Sequence, residues 1–588
     1  FQTGKLVILI LNFFQILYSN FIGILIMISN DLENINSLPE ILFRNAKYFP
    51  TKKFLFKRIE NSWSGKNYKE INRNVLKIAQ SFIQRGIDKN DRIILISSNR
   101  VEWVEIDLAI MTIGAVTVPT FDNNSVEDNI YIIKNCNPKL IVLENKKTLE
   151  INKKILEFFP KNKIILIDDN DEFESYRKIL SSNKLLKKIP HIKRSDVSTI
   201  IYTSGTSDTP KGVILTHDSI IHNLEAAVEI FSDLKISNER FISFLPLSHS
   251  YERVAGMFFP LLINAEIFFC TSLDKLLSEI KEVKPTIFSA VPRLYENIYK
   301  KIKFKIFKTK GFFIRLVKFI IKKNESLTDS NGSKYLNYFI LFFIRILFRK
   351  KVKDILGGQI KVLISGGAAL NPITGNFFNT IGLKLLQGYG QTEASPLISC
   401  NFINFNDPQT VGFPVKNTNV KISTDGEIVV KGRNVMKGYW KNKNLSQKTI
   451  VNGWLHTGDL GFFDELGRII INGRKKDLIV TSGGDNVSVQ KIEGMLNRFI
   501  EIEQVAIFGD NRPYLIALIV VDQNVKNVNI KKLIKLTNEK LNSIEKVRKF
   551  IEIKEPFTYE NGMQTQTSKL KKKEIFNFYK KKIDELYN

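Results

Sequence analysis

Cysteine is almost absent from this chain. Cys136, Cys270 and Cys400 are the only three in 588 residues, far apart and without CxxC spacing. That excludes a disulfide framework and a thiolate zinc site, and it reads as reduced thiols of a cytosolic protein. The five histidines form no H-x-x-x-H or HExxH pair, which removes most metal-hydrolase readings. Acidic residues are in deficit, 59 against 87 Lys and Arg, giving a net charge of +28 and a pI near 9.6. Such an imbalance fits anionic ligands, an anionic membrane surface or nucleic acid, and equally the plain surface of a chain crowded with Lys, Ile and Asn. Hydrophobic content of 44% and charged content of 25% are those of a globular protein. A Walker A loop is missing too. Counted from Gly205, Pro210 stands where its second Gly belongs and Gly212 where its Ser or Thr belongs.

In its place stands IIYTSGTSDTPKG, Ile200 to Gly212. A β-favouring run, Ser198 to Tyr202, feeds Thr203, Ser204, Gly205, Thr206, Ser207 and Thr209 and closes on Pro210 and Lys211. Small residues let backbone N–H groups approach phosphate oxygens, hydroxyls add neutral donors and the lysine adds positive charge, so this reads as a strand running into a phosphate loop. Elsewhere apolar runs such as Arg92 to Ser98, Ala115 to Pro119 and Thr286 to Ala290 alternate with helical periods such as Val104 to Gly114 and Thr216 to Ile230. The alternation implies parallel sheets wound with helices on both faces.

Further motifs follow the loop. FISFLPLSHSYE sets His249 just beyond a strand expected to end at Pro246, where ligands lie in such sheets. KVLISGGAAL delivers Gly366, Gly367, Ala368 and Ala369, a small-residue shelf for a flat base. LKLLQGYGQTEASP offers the Tyr389 ring, the Thr392 hydroxyl and the Glu393 carboxylate, hard oxygen donors of the kind magnesium (Mg2+) takes. Asp459 in HTGD suits the two ribose hydroxyls of a nucleotide, and Arg474 in NGRKKD suits a phosphate.

Two stretches point to a membrane. Leu6 to Ile28 is uncharged and of spanning length, but the first methionine is Met27. The working protein is read as starting there, with a single N-terminal anchor as the alternative. Lys300 to Lys353 interleaves Phe307, Phe312 and Phe319 with Lys305, Lys310 and Lys318. It reads as an interfacial amphipathic helix pair making peripheral membrane contact, or as two core-packed helices with a solvated basic side.

Taken in order, these motifs resemble those of the adenylate-forming (AMP-binding) superfamily, and most closely the bacterial long-chain fatty acyl-CoA synthetases. The resemblance runs from Leu38 to Lys573. It implies an α/β fold. A hydrophobic segment, 1–30, would precede a large domain of parallel and mixed sheets wound with helices plus a small β-unit over 31–475, with a basic insertion at 300–353. A small mobile α+β lid would follow over 477–588. The implied nucleotide site comprises Thr203 to Ser207, Thr209, Lys211, Gly367, Ala368, Gln387, Gly388, Tyr389, Gly390, Thr392, Asp459 and Arg474. By the same resemblance His249 lies beside the substrate carboxylate, Lys476 is the hinge, and Gly483 and Gly484 meet coenzyme A. Lys569 is the adenylation lysine, with Lys571 the alternative register. Thr206, Lys211, Glu393 and Lys569 would carry catalysis, with Glu393 holding magnesium.

The function this implies is ATP-dependent activation of a long- or medium-chain fatty acid to acyl-AMP, then transfer to coenzyme A with release of AMP and pyrophosphate. Gln391 and Gln566 depart from the family pattern, where an apolar residue and a proline are usual. A fatty acyl-AMP ligase loading a carrier protein and a catalytically silent, membrane-associated acyl-binding protein are the alternatives. No nucleic-acid partner is expected, a homodimer is compatible, and the expected location is the cytoplasm, peripheral on the inner face of the cell membrane.

Overall fold

The computed structural model describes residues 32–308 and 349–587, apart from positions 123, 204–208, 235, 484, 500, 524, 526, 527, 559 and 565–569. The apolar run Leu6 to Ile28, most of the basic aromatic stretch, Ser204 to Ser207, Gly484 and Lys569 therefore lie outside the described residues. Among the described residues no helix is long and apolar enough to cross a membrane.

The short β-branched runs become the strands of an eight-stranded sheet. Its order is Gly438–Tyr439, Lys211–Thr216, Val197–Thr203, Val116–Thr120, Arg92–Ile96, Leu140–Leu143, Ile164–Leu166 and Glu174–Ser175. From Val197–Thr203 to Glu174–Ser175 neighbours run parallel, and the central strands are buried nearly end to end, as a sheet covered on both faces requires. A five-stranded sheet places Ile287–Ala290, Val362–Ser365 and Lys384–Gly390 in parallel and continues antiparallel through Leu397–Cys400 and Phe413–Pro414. Antiparallel strands from Thr418–Ile422 to Ile469–Arg474 form a separate β-unit. Beyond it, Ile502–Phe508, Leu515–Val521 and Val547–Ile553 form a small sheet with apolar clusters of its own.

Two boundaries differ from the sequence reading. The loop after Thr203 does not lead straight into a helix. It joins two antiparallel strands, because KGVILT pairs back on Val197–Thr203 before the His217–Ile230 helix begins. The strand before His249 ends at Ser243 rather than Pro246.

Every residue of the Val101–Thr112 helix is buried, including Glu102, Glu105 and Asp107. Burying a carboxylate is costly unless it is paired, and each has a partner. Glu102 meets Lys57 at 2.9 Å and Arg100 at 3.0 Å. Glu105 meets Lys66 at 3.0 Å, Asn74 at 2.9 Å and the Tyr176 hydroxyl. Asp107 takes a two-pronged contact from Arg253, whose Nε lies 3.1 Å from Oδ2 and whose Nη2 reaches Oδ1. Arg253 also donates to Thr199 at 2.7 Å and lies against the rings of Trp103 and Phe258. Cys136 and Cys400 are buried and Cys270 partly so, and burial pushes all three thiols up to about 12.

Two stability measurements follow. Asp107→Ala strands a buried guanidinium and should cost about 3–5 kcal/mol in denaturant unfolding. Glu252 accepts from Ser243 Oγ at 2.7 Å, its second oxygen is unpartnered, and burial pushes its carboxyl from 4.5 up to about 8. The folded form thus holds a proton that the unfolded chain releases, so this group costs stability progressively as pH rises from 4.5 to about 8. Glu252→Gln should remove that part of the slope, read as the difference between the two pH profiles.

Candidate functional site

The loop strands deliver its flanks in register, with Thr203 opposite Lys211 and Tyr202 opposite Gly212. Of the described flanks, Lys211 opens the returning strand and lines the cleft with Thr203. The Lys211 ammonium is pushed down by burial and by nearby Lys476, while Glu393 opposes the shift. These three residues therefore sit within electrostatic reach of one another.

The parallel strands Val362–Ser365 and Lys384–Gly390 end side by side. The first releases Gly366 to Ala369, where Gly367 adopts φ +82°, a conformation that suits glycine. The second releases the Thr392–Ala394 turn, and a Cβ at Gly390 would lie 1.8 Å from the Pro396 carbonyl oxygen. Gln387 uses its side-chain amide on Leu370 N–H at 2.8 Å and the Thr410 carbonyl at 3.2 Å, and its backbone carbonyl accepts from Asn401 N at 3.0 Å.

Tyr389 is buried, and its hydroxyl donates to Asp459 Oδ2 at 2.7 Å. Asp459 Oδ1 accepts from Arg474 Nε, also at 2.7 Å, across a register pair of antiparallel strands. Burial works against the Arg474 charge, but Asp459 outweighs it and the guanidinium is raised. Both oxygens expected to face a ribose are thus engaged within the protein.

Thr392 Oγ1 lies 3.1 Å from Ser250 Oγ, and Glu393 Oε1 accepts from the Tyr439 hydroxyl at 2.8 Å. His249 caps the short Ser250–Glu252 helix, its Nδ1 accepting from Tyr251 N at 3.2 Å. Lys476 lies in a 3-10 turn whose neighbours are tied to opposite sides. Lys475 pairs with Asp425 at 2.5 Å, and Asp477 accepts from Gln490 at 2.8 Å. Gly483 is exposed on the turn after Leu478–Val480.

One cleft of about 3380 Å³ is lined by Thr203, Lys211, His249, Gly367, Tyr389, Thr392, Glu393, Asp459 and Arg474, together with Lys476 and Lys571. Tyr439 and Ser250 are site residues that sequence reasoning missed. Tyr439 in KGYW carries no local signal, and only pairing of its strand with Lys211–Thr216 brings it to Glu393. Ser250 stood beside His249 in the motif, so its neighbour was a usable signal.

Among the described residues no group of three His, Cys, Asp or Glu could hold a metal on protein ligands alone. Glu393 with the Thr392 hydroxyl matches magnesium's habit of binding through one or two carboxylates and completing its shell with water and substrate phosphates.

The AMP-binding enzyme family matches residues 42–440, and the AMP-binding enzyme C-terminal domain matches 476–588. A long-chain-fatty-acid–CoA ligase, FadD15, of Mycobacterium bovis is 28% identical over 94% of this chain and 97% of its own length. Long-chain-fatty-acid–CoA ligase 5 of Rattus norvegicus is 29% identical, covering 89% of this chain and 84% of its own. The crystal structure of the anthranilate CoA ligase AuaEII in complex with anthranoyl-AMP superposes with TM-score 0.75 at 19% identity, covering 95% of this chain and 99% of that one.

Asp459→Ala removes a charged acceptor from the cleft. It should weaken AMP binding by about ten- to a hundredfold in calorimetry, the worth of hydrogen bonds to a charged group. A fold of one large α/β body and one smaller domain, with family matches running along both, makes this chain a member of the AMP-binding, adenylate-forming enzymes.

Proposed function

We propose that the protein is a fatty acyl-CoA ligase. It would activate a long- or medium-chain acid with ATP to acyl-AMP and pass the acyl group to coenzyme A. The observation that carries this reading is the shape of the cleft. A polar wall around Asp459, Thr392 and Glu393 is continuous with an apolar one formed by Ala227, Val254, Phe259, Leu386 and Leu397. Relatives named as long-chain-fatty-acid–CoA ligases at 28–29% identity support the same substrate class.

No general base is required, because a carboxylate is already ionised at neutral pH. His249 positions it, and Lys211 with the loop hydroxyls, Thr206 among them, holds the phosphates. Glu393 and Thr392 would hold magnesium, which supplies neutralisation of phosphate charge. Lys569 stabilises the charge that develops as pyrophosphate leaves, so catalysis is electrostatic and positional. The adenosine occupies the shelf of Gly367 and Ala368 and the backbone of Gln387 to Gly390, with Tyr389 over the base and Asp459 taking the ribose. We place the domain boundary at Lys476. Rotation there withdraws Lys569 and brings the turn of Gly483 and Gly484 to coenzyme A. Peripheral membrane contact through residues 300–353 belongs to this reading, since the substrate partitions into lipid.

Two assays test it. Pyrophosphate release should depend on fatty acid, and a thioester should form only with coenzyme A. Adenylate that coenzyme A does not discharge would identify a carrier-protein ligase, and no release with any acid would refute adenylation. Lys569→Ala should slow acyl-AMP formation by about a hundred- to a thousandfold, the scale of losing one charge-stabilising donor. Transfer from supplied acyl-AMP to coenzyme A should survive, and Lys571→Ala should leave both steps near normal.

A further inference from the structure

The apolar arm of the cleft has a closed end. Two helical runs leave the Thr392 turn together. Asn223, on the His217–Ile230 helix, donates to the Ala394 carbonyl at 3.3 Å and accepts from Leu397 N at 2.7 Å. Ser250, at the start of the second run, lies 3.1 Å from Thr392. The second run continues through a π-helical segment, Arg253–Phe258, into Phe259–Leu262. Phe231 caps the end of the first run, and Phe259 opens the last turn of the second. Phe231 and Phe259 stack with ring centroids 5.1 Å apart, and Phe241 meets Phe259 edge-on at 6.3 Å.

Phe231 and Phe259 line the same cleft as Tyr389 and Thr392, yet they are only 4% and 2% exposed. A chain entering beside Thr392 therefore meets a wall backed by the main apolar cluster. Between the ends the lining is apolar and aromatic, with Ala227 and Ile230 on one run and Tyr251, Val254 and Ala255 on the other. The distance along the helix from Asn223 to Phe231 is about 12 Å at a helical rise of 1.5 Å per residue.

We infer that the Phe231–Phe259 pair is the ruler that sets the acyl chain length this protein accepts. The inference rests on the fatty acyl-CoA ligase reading and narrows its substrate class to medium-chain acids. An extended chain advances about 1.2 Å per bond, as extended polypeptide does over its three bonds per residue, so the arm takes a tail of about ten carbons. Longer tails meet the ring pair and must displace buried aromatic surface.

The test measures kcat/KM for hexanoate, octanoate, decanoate, dodecanoate, palmitate and stearate. The unmodified protein should peak at decanoate or dodecanoate and use palmitate at least about tenfold less well, the discrimination a closed apolar pocket achieves. Phe259→Ala should raise the palmitate-to-decanoate ratio by about tenfold or more. Ala227→Leu, which narrows the arm midway, should move the optimum to octanoate or hexanoate. If Phe259→Ala melts below the assay temperature, Phe231→Leu supplies the opening variant. An optimum at palmitate in the unmodified protein, or active variants with an unchanged profile, would overturn the ruler while leaving the ligase standing. Pyrophosphate release with none of the acids would overturn the ligase reading itself.

Discussion

The buried pair of Arg253 and Asp107 is the constraint on which the site's geometry depends. Arg253 belongs to the π-helical run that walls the apolar arm, Asp107 to a fully buried helix, and Thr199, which also binds Arg253, to the strand that ends in the phosphate loop. One guanidinium therefore fixes the relation of three elements that are distant in sequence. Desolvation opposes charge on both partners, lowering the arginine and raising the aspartic acid, and each partner works against that shift in the other. Such pairs contribute little net stability over an apolar substitute. Their effect here is to hold one arrangement, with the apolar arm and the polar loop meeting at Thr392.

The polar wall has the opposite character, because under the proposed function its contacts exchange. Tyr389, Asp459 and Arg474 satisfy one another, so none is left as an unpaired buried group. A nucleotide taking the Asp459 carboxylate replaces those contacts instead of filling a vacancy, and its net gain is accordingly modest per bond. Lys475 and Asp477, tied to opposite sides of the turn at Lys476, apply the same logic to motion, because rotation there can trade one set of surface pairs for another.

Much of this was legible in the sequence, and for a physical reason. Strands such as Arg92–Ile96 and Val116–Thr120 are β-branched runs buried on both faces, and that signal is local. The loop and the Gly366 and Tyr389 segments are also local, since backbone approach to a phosphate or base needs adjacent small residues. Pairings between distant segments were not legible. Arg253 meets Asp107 across 146 positions, and Tyr439 meets Glu393 across 46. KGVILT was left unassigned between loop and helix because so short a run carries no mark of the partner strand against which it folds. Lys300 shows no sign in sequence of the contact it makes with the Ile502 carbonyl at 3.2 Å, which links the Pro292–Lys308 helix to the small sheet.

The three high thiols bear on chemoselectivity. An acyl adenylate is a mixed anhydride that any thiolate in reach would attack, and Cys400 lines the cleft where the proposed reaction would make one. The attacking species is the thiolate, and burial pushes the Cys400 thiol up to about 12, so at neutral pH almost none is present. Cys136 and Cys270 are silenced in the same way. In the proposed reaction a protonated, buried Cys400 would leave the activated intermediate for an incoming thiol.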